Sequence, residues 1–242
     1  MTPVAPLAGR VALVTGGSRG LGRGVALALA TRGAAVVPVS RDATGLVGTL
    51  EELRAMGART TGRPIAVDVR NLTDLEAAVR DAGSLGTVDI LVAAAGVAHI
   101  APIVELSADA WNEQIAVNLT GAFNAVKAVL PGMIAAGRGD VVFLGSVAAR
   151  RPFTRGSAYG ASKAGLAMLA DILRAETRDA GIRVLHVVAG ATDTDIWGAE
   201  PPAPPERMMS VALVATAIAD AVTTDRRGTM EEIVLRPLLG DL

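Results

Sequence analysis

Seven short apolar runs alternate along the chain with longer segments of helical period. Most of the runs are apolar on both faces, which is typical of strands in a parallel sheet covered by helices on each side. We therefore predict an α/β fold with a doubly wound, mostly parallel seven-stranded sheet and helices on both faces. The predicted strands are Arg10–Thr15, Ala34–Ser40, Arg63–Val69, Val88–Ala94, Asp140–Ser146, Ile182–Val188 and Glu231–Pro237.

The chain contains no internal linker and no repeat, so we predict a single domain over residues 1–242. Its composition changes once, in the run AEPPAPPER at Ala199–Arg207, where the prolines prevent regular helix or strand. We predict that residues 193–210, which include this run, form a substrate loop. In a doubly wound sheet, ligands bind at the carboxyl ends of the strands. Residues that directly follow the strands are therefore the first candidates for a site.

Two helix starts can be predicted from capping residues. Thr73 with Glu76 has the spacing of a capping box, in which the two side chains satisfy each other's backbone N–H groups. Ser107 is a suitable N-cap for a long helical segment that reaches about Ala136.

Charge and composition disfavour several classes of function. The chain has 23 Lys and Arg against 24 Asp and Glu, so no basic excess indicates a nucleic-acid or membrane partner. The absence of cysteine and the two isolated histidines predict no metal site. The start, MTPVAPLAGR, lacks the pattern of a secretory signal, and the longest apolar stretch, Ile90–Ala98, is too short to cross a bilayer. We expect a cytoplasmic protein.

A glycine-rich turn follows the first strand. Gly16, Gly20 and Gly22 lie in TGGSRGLGRG, with Ser18, Arg19 and Leu21 between them. Glycines let the backbone turn tightly and approach a pyrophosphate, whose charge is met by the N-terminus of the next helix. The turn predicts a dinucleotide site, and a packing turn without a ligand is the alternative.

The residues after the second strand indicate which dinucleotide would bind. An acidic residue there would bind a ribose 2′-hydroxyl, as in NAD sites, but this chain has Ser40 and Arg41, with Arg19 nearby in the glycine turn. Guanidinium groups match phosphate oxygens, so we predict NADP(H) as cofactor, with NAD(H) less favoured. Ordinary surface charge is the alternative interpretation of both arginines. After the third strand, Asp68 is predicted to accept from the adenine amino group, beside the Val69 backbone.

Tyr159 is the only tyrosine of the chain, and Lys163, one of two lysines, follows it by four residues. On a helix this spacing puts both side chains on one face. Ser146 precedes Tyr159 by 13 residues, and Asn118 lies in the long helical segment after the fourth strand. Packing roles for these residues one by one are the alternative to a joint catalytic role.

The chain resembles the short-chain dehydrogenase/reductase family, of the single-domain kind, from about Leu7 to Pro237. The family pattern T-G-x-x-x-G-x-G falls on Thr15, Gly16, Gly20 and Gly22, and its Y-x-x-x-K falls on Tyr159 and Lys163. The family's asparagine and serine fall on Asn118 and Ser146. The resemblance implies a Rossmann fold, a nicotinamide cofactor, and a homotetramer or homodimer.

The resemblance also implies catalytic roles. Tyr159 would donate a proton to the carbonyl oxygen that is being reduced, and Ser146 would hydrogen-bond that oxygen. Lys163 would hold the cofactor ribose and acidify the phenol, and Asn118 would hold a water of a proton relay. Moving the phenol pKa from ~10 to ~7 requires ~4 kcal/mol, which an ammonium at ~4 Å supplies at an effective dielectric of ~20.

Two family motifs are altered. The family's N-N-A-G reads AAAG, so that Ala94, Ala95 and Gly96 keep only backbone contacts along the cofactor. The family's P-G-x-x-x-T reads AGATDT, with Ala189 in place of proline. We expect a more mobile loop over the nicotinamide, with cofactor contacts from Gly190, Thr192 and Thr194.

Substrate contacts are predicted for Phe153 and Trp197 in addition to Ser146 and Tyr159, with packing as the alternative for both aromatic residues. His99 and His186 are interpreted as a loop residue and a core or interface residue. The predicted reaction is NADP(H)-dependent hydride transfer to or from a carbonyl or secondary alcohol, including 3-oxoacyl thioesters. The alternative is an NADP(H)-binding sensor or scaffold protein without turnover.

Overall fold

The computed structural model describes residues 5–61, 63–198 and 201–240. Seven strands form one sheet in the order β3-β2-β1-β4-β5-β6-β7, and every neighbouring pair is parallel. The predicted fold class is confirmed. The strands are β1 Val11–Thr15, β2 Ala35–Ser40, β3 Ile65–Ala66, β4 Ile90–Ala93, β5 Gly139–Leu144, β6 Ile182–Ala189 and β7 Glu232–Leu235.

Helices cover both faces of the sheet and create two hydrophobic cores. The helices are α1 Gly20–Thr31, α2 Ala43–Ala55, α3 Leu72–Ala82, α4 Ala108–Ile115, α5 Gly121–Ala135, α6 Ser157–Thr177 and α7 Val211–Thr223. Buried residues of α1, α2 and α7 pack on one face, and those of α3, α5 and α6 pack on the other. This two-sided cover explains why β1 and β5 are buried along their whole length.

After β1 the chain continues along the sheet toward β2 and β3, and after β4 it continues in the opposite direction, toward β5, β6 and β7. The strand order therefore reverses between β1 and β4. Ligands bind at such a reversal, beyond the carboxyl ends of the strands. The glycine-rich turn after β1 and the AAAG segment after β4 both lie at this position. The fold therefore brings the predicted cofactor residues to one edge of the sheet.

The helix-start predictions met different outcomes. Ser107 does cap α4, since its side chain accepts a hydrogen bond from the Ala110 N–H. The predicted capping box of Thr73 is wrong: Asn71 is the N-cap of α3, and its side chain accepts from the Thr73 N–H. An Asx side chain competes well for the first free N–H groups of a helix, which starts α3 two residues earlier than predicted.

The long segment after Ser107 is not one regular α-helix. A π-helical turn, Ala116–Thr120, separates α4 from α5. A π-turn contains one residue more than an α-helical turn and is often found at functional sites. Asn118 lies inside it and is 1% exposed.

The third predicted strand is much shorter than expected, because only Ile65–Ala66 pairs with β2. The rest of the predicted run is extended chain or turn, and Val67 continues with a single hydrogen bond from its N–H to the Ser40 carbonyl.

An ion-pair network joins the opposite, N-terminal ends of the strands. Asp140 accepts hydrogen bonds from Arg10 at 2.7 Å, from Arg226 at 2.7 Å and from Arg183 at 2.5 Å. Arg10 also pairs with Asp89. This network ties β1, β4, β5 and β6 to the turn after α7.

Within the described part of the chain, no helix is long and apolar enough to span a bilayer. Over the same residues, no group of three or more His, Asp or Glu side chains is arranged to hold a metal ion.

Candidate active site

Tyr159 and Lys163 lie on the buried face of α6, one helical turn apart, as their spacing predicts. Tyr159 is 8% exposed and Lys163 is 6% exposed. The Lys163 Nζ atom donates to the Leu144 carbonyl at 2.8 Å and lies 5.6 Å from the centre of the Tyr159 ring. The amine and the phenol therefore share one enclosed space at the end of β5.

Burial dominates the acid–base properties of this pair. It raises the pKa of Tyr159, while hydrogen bonding with the Ser146 side chain acts in the opposite direction. It lowers the pKa of Lys163 to about 8. Burial therefore opposes the acidifying effect that Lys163 is predicted to have on the phenol, because removing both groups from water disfavours their charged forms.

Ser146 lies two residues after the end of β5 and is buried. Its Oγ atom accepts a hydrogen bond from the Ala148 N–H at 3.1 Å, which fixes the side chain at the start of a short 3₁₀ turn. The interaction with Tyr159 brings the serine and tyrosine hydroxyls together. The ring of Phe153 meets that of Tyr159 edge to face at 6.4 Å and is 43% exposed, so it lies where a substrate could contact it.

Asn118 holds the chain after β4 against α6. Its Oδ1 atom accepts from the Val97 N–H at 2.8 Å, and its Nδ2 atom donates to the Val97 carbonyl and to Ser162 Oγ, each at 3.0 Å. Both amide hydrogens are thus in use. A water of the predicted relay could reach only the remaining lone pair of Oδ1.

The glycine-rich turn packs against the segment after β4. A Cβ atom at Gly16 would lie 2.9 Å from backbone atoms of Ala95, and one at Gly22 would lie 2.2 Å from the Gly16 carbonyl oxygen. Gly16 also has φ +68°, a conformation that favours glycine. Side chains are excluded at these two positions, so the backbone there stays open to a close ligand.

Thr15 anchors the AAAG segment through backbone N–H groups of that segment. Its Oγ1 atom accepts from the Ala94 N–H at 3.1 Å and from the Ala95 N–H at 3.2 Å. Gly96 follows, and a Cβ there would lie 3.4 Å from Asn118 Oδ1 and 3.9 Å from Lys163 Nζ. The segment is therefore anchored by its backbone and leads directly to the catalytic candidates.

The residues predicted to bind the adenosine end lie at the neighbouring strand ends. Ser18 and Ser40 hydroxyls are 3.0 Å apart, and Arg19 is the N-cap residue of α1. Arg41 is half exposed at the end of β2. Leu21, in the first turn of α1, packs partly buried against the core.

Asp68 is engaged by a neighbouring arginine. Arg70 donates to both carboxylate oxygens through Nε, at 3.0 Å and 2.9 Å, and this pairing lowers the pKa of Asp68. The Val69 carbonyl accepts from Asn124 at 3.1 Å. An adenine amino group would therefore share the carboxylate with Arg70.

The loop after β6 closes the other side of the cleft. The Gly190 N–H donates to the Leu235 carbonyl at 2.8 Å, and the Trp197 indole donates to the Thr192 carbonyl at 2.8 Å. Thr194 approaches the glycine turn, since a Cβ at Gly20 would lie 3.6 Å from its side chain. Residues 199 and 200 of the predicted substrate loop lie outside the described residues.

These features fit a dinucleotide. A backbone cradle without side chains, the N-terminus of the twelve-residue helix α1 and two hydroxyls with a nearby guanidinium would hold a pyrophosphate and a ribose. Lys163 and Tyr159 would meet the nicotinamide end.

The chain matches the family model described as short chain dehydrogenase over residues 10–204. D-Threitol dehydrogenase of Mycolicibacterium smegmatis is 40% identical over 179 residues, covering 74% of this chain and 68% of that protein. The chain belongs to the short-chain dehydrogenase/reductase family. Glycine betaine reductase of Emericella nidulans is 35% identical over 245 residues, which are 97% of this chain but only 19% of that protein. The chain thus spans about a fifth of that relative.

Solved structures of the same family agree in fold. An alcohol dehydrogenase of Thermococcus sibiricus, complexed with 5-hydroxy-NADP, superposes with a TM-score of 0.88 at 28% identity, covering 96% of this chain and 98% of that one. A metagenomic short-chain oxidoreductase in complex with NADP gives 0.84 at 31% identity, with the same two coverages. The chain is thus a member of an oxidoreductase family, and two of the matched structures contain NADP or 5-hydroxy-NADP.

Several residues that build the site were not among the predicted site residues. Thr15 belongs to the family motif, and its position directly before Gly16 could have indicated its role. Ser162 and the Leu144 carbonyl had no such signal, because their contacts depend on how α6 packs against the sheet. Glu113, on α4, contacts Arg41 across the cleft and was also missed.

Proposed function

We propose that the chain is an NADP(H)-dependent oxidoreductase that acts on a ketone or secondary alcohol, with 3-oxoacyl thioesters as one substrate class. The main support for this proposal is the buried pair of Tyr159 and Lys163 beside Ser146. In a sensor protein, such a pair would cost stability without serving a reaction, because buried lysine loses its hydration.

The nicotinamide, when bound, supplies or accepts the hydride. Tyr159 donates its hydroxyl proton to the substrate oxygen during reduction, and Ser146 hydrogen-bonds the same oxygen and keeps it within reach of the phenol. Lys163, whose ammonium donates to the Leu144 carbonyl, would hydrogen-bond the ribose hydroxyls of a bound nucleotide, and its positive charge would favour the ionised phenol. Asn118 keeps Val97 and α6 in register around this space. Alcohol oxidation uses the same groups with Tyr159 as the base.

NADP(H) as the cofactor is supported by Arg19, Arg41 and Ser40, and by the absence of an acidic residue at positions 40 and 41. Of the matched structures, one was solved with 5-hydroxy-NADP and one with NADP. We further propose that residues 1–242 form one NADP(H)-binding domain. Its substrate contacts would come from Phe153, Trp197 and the loop at 193–210.

A homodimer or homotetramer is part of the proposal. On α6, Met168 and Ile172 are 59% and 48% exposed, and the small residues Ala161 and Ala164 continue the same stripe of the helix. An apolar stripe of this length is suited to contact with a second copy of the chain. Light scattering during size-exclusion chromatography would measure the assembly, and a monomer would contradict it.

The proposal is tested by following NADPH absorbance with a panel of ketones, 3-oxoacyl thioesters and quinones. We expect turnover of at least one substrate, and Tyr159→Phe should reduce it by at least ~100-fold, because a positioned proton donor contributes about that much. NADPH binding by the variant, measured by fluorescence, should stay within about twofold of the unaltered chain. NADPH binding without turnover of any substrate would favour the sensor, and an active Tyr159→Phe variant would refute the proton-transfer role.

A further inference from the structure

Glu113 projects from α4 toward Arg41, the predicted phosphate-binding arginine that directly follows β2. Its Oε1 atom is 3.9 Å from Arg41 Nη1, and its Oε2 atom is 2.9 Å from His99 Nε2. The Glu113 side chain is 34% exposed. The carboxylate therefore stands between two cationic or hydrogen-bonding groups at the adenosine end of the cleft.

A cavity of about 460 Å³ adjoins this carboxylate, lined by Arg70, His99, Asp109, Ala110, Asn112, Glu113 and Ala116. Glu113 is also close enough to Arg70 to raise the pKa of that guanidinium, after the larger effects of Asp68. The cavity between α4, Arg70 and His99 thus carries charged side chains on its wall and is open to solvent.

Other carboxylates near Arg41 are already occupied. Asp68 is held by Arg70 through both oxygens, and Arg41 makes a further, smaller contribution to lowering the pKa of Asp68. Asp42 caps α2, where its Oδ1 atom accepts from the Gly45 N–H at 2.9 Å. Among the described residues, Glu113 is the acidic side chain that forms an ion pair with Arg41.

We propose that Glu113 is a specificity-determining residue that lowers the affinity for NADP(H) relative to NAD(H) by competing for Arg41. This inference rests on the proposed cofactor site and adds to it a residue from the opposite wall of the cleft.

The effect of Glu113 on the two cofactors is electrostatic. A 2′-phosphate that binds Arg41 brings nearly two negative charges onto a guanidinium that already faces a carboxylate. Glu113 then either loses its ion pair with Arg41 or remains close to the phosphate and repels it. A 2′-hydroxyl carries no charge, so NAD(H) leaves the Arg41–Glu113 pair intact. Removing the carboxylate should therefore strengthen only ligands with a 2′-phosphate.

The test measures binding and needs no substrate. Dissociation constants are determined by calorimetry for NADPH and NADH, and for adenosine 2′,5′-bisphosphate and adenosine 5′-monophosphate. For Glu113→Gln we expect about fivefold tighter binding of the two 2′-phosphate ligands at low salt, from Coulomb repulsion across a solvated gap of several ångströms. The other two ligands should be unchanged, and the gain should shrink as salt is added.

Asp109→Asn is the matched control. Asp109 lies one turn earlier on α4 and lines the same cavity, so this variant removes the same charge without removing the contact with Arg41. An equal gain in this variant, or an equal gain for all four ligands in Glu113→Gln, would overturn the proposal.

The outcomes separate the inference from the proposed function. If the unaltered chain binds the dinucleotides and Glu113→Gln leaves the NADPH to NADH ratio unchanged, the inference fails and the cofactor site stands. If the unaltered chain binds none of the four ligands, both fail together.

Discussion

Lys163 is a cation buried between α6 and the end of β5, where its ammonium donates to the Leu144 carbonyl. Its pKa falls from 10.5 to about 8 because burial removes water from the ammonium. The folded chain therefore loses this proton at lower pH than the unfolded chain does. By linkage, burying the charge lowers the free energy of unfolding by about 3 kcal/mol below pH 8. This cost disappears as the pH rises toward 10.5, the pKa of lysine in the unfolded chain.

We expect Lys163→Met to raise the free energy of unfolding by about 1–2 kcal/mol at pH 7, since the lost bond to Leu144 offsets part of the relieved cost. This advantage should shrink by about 2 kcal/mol between pH 7 and about pH 9.5, where the unaltered chain no longer carries the charge. Tyr159 does not interfere, because its pKa is raised and its ionisation opposes folding only at higher pH.

Urea unfolding at several pH values measures this effect. Lys127→Met is the control, because Lys127 is the other lysine of the chain and is exposed. A difference between the Lys163 variant and the unaltered chain that stays constant with pH would contradict a buried ammonium.

At the scale of single residues, motif spacing was sufficient to predict that Tyr159, Lys163 and Ser146 lie together. Their protonation behaviour could not be predicted, since it depends on how completely α6 and the end of β5 exclude water. The hydrogen-bond partners of the Asn118 amide could not be predicted either, because Val97 and Ser162 approach it only through tertiary packing.

At the scale of elements, the start of α3 shows how local hydrogen bonding sets a boundary. Asn71 lies outside the helix with φ −103° and ψ 108°, and its side chain accepts from the Thr73 N–H at 3.0 Å. Thr73 is an exposed residue of the first helical turn. The two residues thus offer a direct comparison of a capping and a non-capping position.

We expect Asn71→Ala to lower the free energy of unfolding by about 1 kcal/mol, because it leaves the first free N–H groups of α3 without this acceptor. Thr73→Ala should cost less, since alanine is the better helix former inside the turn. Denaturant unfolding of both variants measures the difference. A larger loss of unfolding free energy in the Thr73 variant would show that Thr73, and not Asn71, caps the helix.

The predicted elements were reliable wherever a run was buried on both faces, as in β1 and β5. Prediction failed for β3, where the run Arg63–Val69 yields only a two-residue ladder at the sheet edge. Hydrophobic pattern marks burial, but the length of an edge strand is set by how far its neighbour extends beside it. The π-turn was not predicted either, because no residue type specifies an extra residue within a helix.

At the scale of the whole molecule, the two edges of the sheet have different tasks. The carboxyl edge carries the candidate site, and the opposite edge carries the network centred on Asp140, which is 4% exposed. Three guanidinium groups depend on this one carboxylate. Arg10 would keep its pair with Asp89, but loss of the Asp140 charge would take the carboxylate partner from Arg183, which is 11% exposed, and this is costlier than losing an exposed pair.

We expect Asp140→Asn to lower the free energy of unfolding by about 3 kcal/mol, in the range observed when one partner of a buried ion pair is removed. NADPH affinity of the folded variant should be unchanged, because the network lies at the far edge. Asp225→Asn, which alters an exposed pair with Arg227, should leave stability unaltered. Equal stability of all three proteins in thermal and urea unfolding would show that the network contributes nothing.

The π-turn at Ala116–Thr120 has a consequence for how far the length of the chain can vary. Removing one residue there would produce a continuous helix and rotate α4 by about 100° relative to α5. Asn118 would then point away from Val97 and Ser162, although the hydrophobic faces of the helix could still pack against the core. Surface loops tolerate the deletion of one residue. At the π-turn, the same deletion would leave a chain that still folds but no longer functions.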